Sequence, residues 1–444
     1  MARHLAFPAL ALIASSLPAV AGDQAETDTT FGMVLAAMEQ RLGKDPESAI
    51  AGPGATQQYE SALVRAALSV FEQSRHLDVP HFSRSDSIDG SLGLYNPDNI
   101  YLSALLADDG RYRIHGRRGT HAMLTLQLLD AYPLVALGRN LAAIDLDQLG
   151  IRPGDAFEIF LGGERRTEAR WFQLPKGTKA VLARQTFESW QDETASTLHI
   201  ERLDWPARPV SAVDAALDAT DYLRSTHHTW NETYLPALRQ APLNRLPPAR
   251  RSDTGAGGLD GQQSIVARFR LQADQALIIT VSRSDALYQG IQLGNPWFVT
   301  PNYIDHQVSL TRAQARVDED GRLRFVVSAV DPGVANWLDT AGNSEGYLFM
   351  RWQGLRGSLR EDEAPVLELV ELAELARHLP IDTHWVTADE RAVQLMERRR
   401  APLRQPAVCP PSTKIIDPMA KPASTEASQA TSGGSRPRRR PGRR

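Results

Sequence analysis

The chain has 444 residues, long enough to bury a core without disulfide staples, and a formal net charge of −4. Six arginines occupy the last nine positions; removing their charges leaves −10 on the rest, which argues against general nucleic-acid binding. The single cysteine, Cys409, excludes an internal disulfide and any cysteine-ligated zinc or iron–sulfur site.

The first 21 residues have the pattern of a secretory signal peptide. Arg3 and His4 precede an apolar run over residues 5–20, and Ala21 ends a small-residue cleavage pattern. The run is broken by prolines and is shorter than the roughly 20 residues that a membrane-spanning helix needs. No cysteine stands at the cleavage point to carry a lipid. We predict an exported protein, periplasmic or secreted, cut near Ala21 and without a transmembrane segment.

A helical segment is predicted over residues 22–87. Apolar residues indicate one helix over 31–42 and a second over 57–77. In the second, Leu63 and Ala67 belong to a set of apolar residues at three-to-four spacing, which is typical of one buried helix face.

Residues 88–205 change to a period of two. Tyr112 and Ile114 alternate with charged neighbours, and Phe157 and Ile159 lie in another short alternating run. Such runs, separated by glycine-containing turns, predict a first domain of antiparallel strands. Regular strand-then-helix alternation is missing, which excludes a doubly wound sheet.

Residues 206–261 are predicted to form a helical connector and a linker. The helix covers 211–238, with Ser211 as its N-cap and Asp214 three residues later. Prolines and glycines after it indicate a loop.

A second β domain is predicted over residues 262–356. Asp320-Gly321 stands between an apolar run at 307–318 and another at 322–330, which is a strong hairpin signal. The two β regions together predict a mainly β protein with flanking helices (α+β), built of two antiparallel β-sandwich or jelly-roll-like units.

The C-terminal region, residues 357–401, is predicted to be helical. Helices are expected over 363–379 and 388–399, the second opened by a capping box of Thr387 and Glu390. Residues 402–444 are rich in Pro, Ser, Thr and Arg and have too little apolar surface to order themselves, so we predict a disordered tail.

One candidate site begins at Asp331-Pro332-Gly333. Proline at the second turn position and glycine at the third fit a turn that carries the chain off a strand. It would present Asn336, Trp337 and Asp339, which offer a stacking face and hydrogen-bonding groups suited to a sugar or an aromatic ring. The alternative is that Trp337 closes the end of a sandwich while Asp339 bonds loop amides.

A second set of aromatic and amide side chains precedes it. Tyr288, Asn295 and Trp297 lie in a glycine-rich segment, with Tyr303 shortly after. Because sandwich loops cluster at the ends of the sheets, both sets could border one cleft, with Arg351 as a further polar anchor.

Several long segments carry a resemblance to a known family. Residues 262–354 resemble the bacterial proteins called domain of unknown function 1214, through the segments 288–297, 307–315, 331–342 and Arg351-Trp352. Residues 96–101, 112–116 and 184–190 resemble the region that often precedes that domain. The resemblance implies a β-sandwich or jelly-roll-like architecture and brings no agreed activity. Thr311-Arg312 departs from the smaller polar pair that many members carry.

Acid–base chemistry has three candidates: Asp331, Asp339 and His306. Sequence alone pairs none of them with a nucleophile, and the nucleophile elbow, the Walker loop and a strand-linked dinucleotide motif are missing. His228 and Glu232 have a helical spacing that can serve a metal, but a solvated helix face explains them better. We predict no metal and no cofactor.

These patterns favour an exported protein that binds a small organic or carbohydrate ligand in a cleft of the second β domain. The alternative is a periplasmic hydrolase or lyase that uses Asp and His as acid and base. A third possibility is a structural or envelope-interaction protein whose arginine-rich tail contacts anionic surfaces.

Overall fold

The computed structural model describes residues 44–403, apart from residues 85, 89, 133–137, 166, 168, 169, 205–209, 253–257 and 260. The predicted signal peptide, the predicted helix over 31–42 and the predicted tail beyond residue 403 lie outside the described residues.

The described part is mostly β, with a few helices. Its helices are α1 Pro46–Ile50, α2 Ala55–Ser74, α3 Ala212–Thr229, α4 Leu235–Leu238, α5 Leu375–His378 and α6 Ala388–Leu403. A π-helical turn, Trp230–Tyr234, joins α3 to α4, and 3-10 turns cover Glu361–Glu363 and Leu372–Glu374.

The strands fall into two groups. The first is β1 Ser83–Arg84, β2 Ser91–Leu92, β3 Asn99–Leu105, β4 Tyr112–Arg117, β5 Met123–Leu129, β6 Asn140–Asp145, β7 Ala156–Leu161, β8 Trp171–Phe172, β9 Ala180–Thr186 and β10 Thr197–Arg202. The second is β11 Arg250–Arg251, β12 Gln262–Arg270, β13 Gln275–Ser282, β14 Tyr288–Gly294, β15 Val299–Thr300, β16 Ser309–Thr311, β17 Arg322–Ser328, β18 Trp337–Asp339, β19 Glu345–Gln353 and β20 Val366–Glu371.

The first group builds one sandwich. A sheet of order β1-β3-β9-β5-β6 and a sheet of order β10-β4-β7-β8 enclose a core that includes Tyr112, Ile114 and Ile159. The alternation predicted for β4 is confirmed, since Tyr112 and Ile114 are fully buried while Arg113 and His115 are partly exposed.

The second group builds another sandwich. A sheet of order β11-β12-β19-β14-β16 and a sheet of order β18-β17-β13-β20 enclose a core that includes Phe269, Ile279 and Phe325. The prediction of a mainly β, α+β chain with two antiparallel β units is therefore confirmed. Among the strands of the described residues, the parallel pairs are the short contacts β7–β8 and β17–β18.

Helices α2 and α3 form a third packing region beside the sandwiches. Tyr59, Trp230 and Trp297 lie in its core, and the ribbon of β2 and β15 links the two halves of the chain there. The predicted cap of α3 is confirmed, because the Ser211 hydroxyl accepts a hydrogen bond from the Asp214 backbone N–H at 3.0 Å.

The predicted helix over 363–379 is wrong. Residues 366–371 form strand β20, which pairs with β13 along the edge of its sheet, and helix α5 covers Leu375–His378. Alternation is weak in this strand because only Val370 is buried in it, so the sequence lacked a period-two signal. The backbone hydrogen bonds offered by β13 outweigh local helix propensity here.

The Asp320-Gly321 turn forms, with Gly321 at a φ of +79°. Strand β17, however, pairs along its length with β13, and the run before the turn meets it only at the Val317–Leu323 bridge. The main partner of the preceding strand, β16, is β14. In the described part of the chain, no helix is long and apolar enough to cross a membrane.

Candidate functional site

A cavity of about 290 Å³ lies where the two sandwiches and helix α6 meet. Asp98 reaches it from the loop before β3, and Trp190 from the segment after β9. The loops of the second sandwich contribute Tyr303 and Gln307, and α6 contributes Arg398. The cavity, which we call the junction cavity, is thus assembled from three parts of the chain.

The turn at Asn96-Pro97-Asp98 explains how a carboxylate comes to be at this junction. The Asn96 side-chain oxygen accepts the Asp98 backbone N–H at 3.1 Å, and its backbone oxygen accepts the Asn99 N–H at 3.0 Å. This tight loop points Asp98 inward, where the Tyr288 hydroxyl donates to its Oδ2 at 3.0 Å.

Asp98 is almost completely buried, and burial raises the pKa of its carboxyl. The positive charge of Arg398 and the hydrogen bonds from Tyr288 and Trp190 act in the opposite direction but are the smaller causes. The floor of the junction cavity therefore carries an acidic group that resists ionisation.

Three glutamines in the wall of the junction cavity keep part of their hydrogen-bonding capacity unused. Gln307 donates its amide to the backbone oxygens of Ala335 and Trp337, which leaves its Oε1 without a partner in the described part of the chain. Gln314 and Gln394 are held through Oε1, by the Thr311 N–H at 2.9 Å and by Arg391 at 2.7 Å. Their NH₂ groups have no partner among the described residues, so these three side chains offer two neutral donors and one neutral acceptor. Charged side chains line the same cavity, among them Asp192, Arg316, Glu397 and Arg398.

The predicted acid–base candidates divide into two places. His306 and Asp339 are brought together, with Nδ1 to Oδ2 at 2.7 Å. Hydrogen bonding to Asp339 raises the pKa of the His306 imidazole, which is about half exposed. No hydroxyl or thiol among the described residues is hydrogen-bonded to this ring. The pair can exchange a proton with solvent, but it does not line the junction cavity.

Asp331 is elsewhere and holds helix α6. Its carboxylate accepts two hydrogen bonds from Arg391, at 2.8 and 3.2 Å, and one from the Gly333 N–H at 2.9 Å. Gly333 has a φ of +79°, as predicted for the third position of this turn.

Trp297 and Asn295 lie beside the helices. The Trp297 ring is fully buried and stacks on Tyr59, with centroids 4.6 Å apart, and its Nε1 donates to Thr56 at 3.1 Å. The Asn295 side-chain oxygen accepts the backbone N–H groups of Trp297 and Val299 and so shapes the loop.

Trp337 and Asn336 lie at the other end of the second sandwich. Trp337 is 7% exposed, donates its Nε1 to the Ser328 oxygen at 3.1 Å and faces the Arg391 guanidinium. Asn336 lines the junction cavity, but its amide is engaged with the backbone of Arg316 and Arg324. The two tryptophans therefore do not share a cleft.

Arg351 is buried between the two sandwiches. It donates to the Gln292 side chain and to the Leu94 oxygen, and its guanidinium lies 3.6 Å from the centre of the Phe349 ring. Burial lowers the pKa of this guanidinium. Arg351 and Tyr288 thus belong to the polar interface beneath the junction cavity.

Sequence reasoning missed most residues of the junction cavity. Asp98 and Trp190 lie in segments that carry the family resemblance, which was the available signal for them. Gln307 and Gln314 also lie in such a segment, 307–315, but nothing there marked them as site residues. Arg398 lies outside these segments and had no distinguishing pattern. Within the described residues, no group of three or more His, Cys, Asp or Glu side chains could hold a metal ion.

Comparison with solved structures shows a similar fold in an uncharacterized protein from Burkholderia cenocepacia, with 28% identity and a TM-score of 0.67 over 78% of this chain and 97% of that one. The VPA0106 protein from Vibrio parahaemolyticus matches with 12% identity and a TM-score of 0.43, over 70% of this chain and 96% of that one. No family model and no curated protein matches the chain.

Proposed function

We propose that the protein binds a small, neutral, polyhydroxylated molecule, such as a monosaccharide, in the junction cavity. The observation that carries the proposal is the set of unused amide groups of Gln307, Gln314 and Gln394 around one cavity. Neutral donors and acceptors match hydroxyl groups, each of which can donate and accept.

The size of the junction cavity sets the size of the ligand. At about 290 Å³ it lies near the lower end of the roughly 300–1,000 Å³ typical of small-molecule sites. Trp190 and Tyr303 add aromatic surface to its wall, which suits the apolar face of a sugar ring.

A thermal-shift screen of neutral monosaccharides and disaccharides, followed by calorimetric titration of the hits, tests the proposal. We expect Gln314→Glu and Gln394→Glu to abolish binding, because each keeps the oxygen that holds its backbone or arginine partner and loses the free NH₂ donor. Gln272→Glu, on an exposed glutamine outside the junction cavity, is the matched control and should bind normally. If both cavity variants bind the ligand as tightly as the control variant does, the ligand does not bind in the junction cavity.

The His306–Asp339 hydrogen bond favours one alternative, a hydrolase or lyase that uses this pair as base and acid. Its test is turnover of activated ester and glycoside substrates. Activity that His306→Ala removes while the melting temperature is kept would support the alternative over simple binding.

We also propose that the chain is exported, through a signal peptide at residues 1–21, and is related to the domain of unknown function 1214 proteins through residues 262–354. The export pattern and the shared segments support these two assignments. The arginine-rich end could add contact with anionic surfaces. N-terminal sequencing of the protein recovered from the periplasm tests the first: a start at Gly22 supports it, and an intact Met1 refutes it.

A further inference from the structure

Helix α6 forms one side of the junction cavity. Gln394, Glu397, Arg398 and Ala401 all line it, and they come from successive turns of this helix. A ligand that contacts the inner wall is therefore covered by α6 on this side.

Apolar burial contributes little to the docking of α6. Between residues 388 and 401, the buried residues are Arg391 and Ala401, and Leu395 is partly buried; Ala401 is the residue that joins the apolar core of the first sandwich. Val393 and Met396 are exposed at 47% and 42%. Because hydrophobic stabilisation scales with the apolar area removed from water, this helix gains less of it than α2 or α3.

Arginine side chains hold α6 instead. Arg391 bonds the Asp331 carboxylate, Arg398 donates to the Ser309 backbone and hydroxyl oxygens at 2.9 and 2.6 Å, and Arg399 meets Asp305 at 2.6 Å. Water replaces these hydrogen bonds when the helix undocks, so their net contribution is small beside that of a large apolar face. Arg391 is buried, whereas the Arg399–Asp305 pair is exposed and is screened by salt.

The chain just before α6 is fixed to the body. The Ala335 N–H donates to the His384 oxygen at 2.9 Å, and the Val386 N–H donates to the Gly333 oxygen at 2.7 Å. The helix itself begins with the predicted capping box of Thr387 and Glu390, which is confirmed. A pivot at the start of α6 would therefore let it move as a preformed helix.

We propose that α6 is a detachable lid of the junction cavity, which undocks as a unit while both sandwiches stay folded. This proposal depends on the proposed function in one respect: it takes the junction cavity to be the place where the ligand binds. Asp331 then has a definite role: its hydrogen bonds to Arg391 hold the first turns of α6 on the body of the protein.

Thiol labelling measures the undocking directly and needs no ligand. In a Cys409→Ser background, Ala401→Cys places a thiol where α6 packs on the apolar core of the first sandwich, and Ala183→Cys places one on strand β9 inside that core. We expect the α6 thiol to react with Ellman's reagent at least about tenfold faster than the core thiol in native buffer. Adding Asp331→Asn should accelerate the α6 thiol by about ten- to a hundredfold and leave the core thiol unchanged.

Asp362→Asn is the matched control, because it weakens the exposed pair with Arg360 away from the cavity. Equal rates for the two thiols, or no acceleration by Asp331→Asn, overturns the lid. Should either thiol variant fail to fold, amide hydrogen exchange of the unaltered protein decides the question. Faster exchange over residues 388–401 than in the β12–β19 strand pair supports the lid. Equal rates in the two regions refute it. A failed sugar screen leaves these rates unaffected, so the two proposals fail separately.

Discussion

Glu188 gives the protein a pH dependence that can be worked out from its surroundings. Its carboxylate meets Arg312 Nε at 3.1 Å and accepts the backbone N–H groups of Gln289 and Ala313, so it joins the first sandwich to the second. Burial outweighs these partners and raises the pKa of Glu188 from 4.5 to about 7, and the nearby Asp98 adds to the rise.

The folded state therefore binds this proton more tightly than the unfolded chain does. Between pH 4.5 and about 7 the unfolded chain has released the proton and the folded protein has not, so the free energy of unfolding falls as pH rises. Each pKa unit is worth about 1.4 kcal/mol, which makes the full loss about 3 kcal/mol.

The experiment is urea denaturation of the wild type and of Glu188→Gln at pH 5, 6, 7 and 8. The difference between the two free energies of unfolding isolates Glu188 from the other titrating groups. We expect the difference to shift by about 2–3 kcal/mol in favour of the variant between pH 5 and 8. Glu361→Gln, at an exposed position, is the control: its free energy of unfolding should change with pH as that of the wild type does. If the free energy of unfolding of Glu188→Gln also follows that of the wild type from pH 5 to 8, the reasoning is refuted, and Arg312 keeps the Glu188 carboxylate ionised.

Three further predictions concern stability. Trp297→Ala should lower the free energy of unfolding by about 3–5 kcal/mol in urea titrations, because the buried indole stacks on Tyr59; a loss below 1 kcal/mol would contradict this packing role. Burial lowers the pKa of His121 to about 3, so wild-type stability should fall as pH drops from 6.5 toward 3, and His121→Gln should flatten that fall in thermal melts. Gly116→Ala should lower the melting temperature sharply, because its Cβ would meet the Thr197 oxygen at 1.8 Å; an unchanged value would show that β4 and β10 can separate freely.

Period-two patterns predicted the strands that bury one face, whereas β3, β5 and β14 are buried along their whole length. Tyr112 and Ile114 show one-sided burial in β4, where polar neighbours face outward. Strand β20 escaped prediction because it is an edge strand with one buried residue, Val370, and its pairing with β13 is a tertiary contact.

The candidate site was predictable only where local sequence determines geometry. The turn at Gly333 followed from residue types alone. His306 and Asp339 were both candidates, but their hydrogen bond joins residues 33 positions apart. Asp98 and Tyr288 meet across 190 positions, a contact that depends on how two sandwiches dock.

The contact between the two sandwiches is polar around Asp98, whereas the β2–β15 ribbon adds apolar contacts further along. Each sandwich has its own apolar core, while Asp98, Tyr288, Arg351 and Gln292 fill the space between them with directional hydrogen bonds. Buried polar contacts of this kind add less net stability than an apolar interface, but they fix the orientation of the partners. The position of Asp98 relative to the glutamines of the second sandwich therefore depends on this network. A change at Arg351 should act on ligand affinity through geometry, although its side chain lies outside the cavity wall.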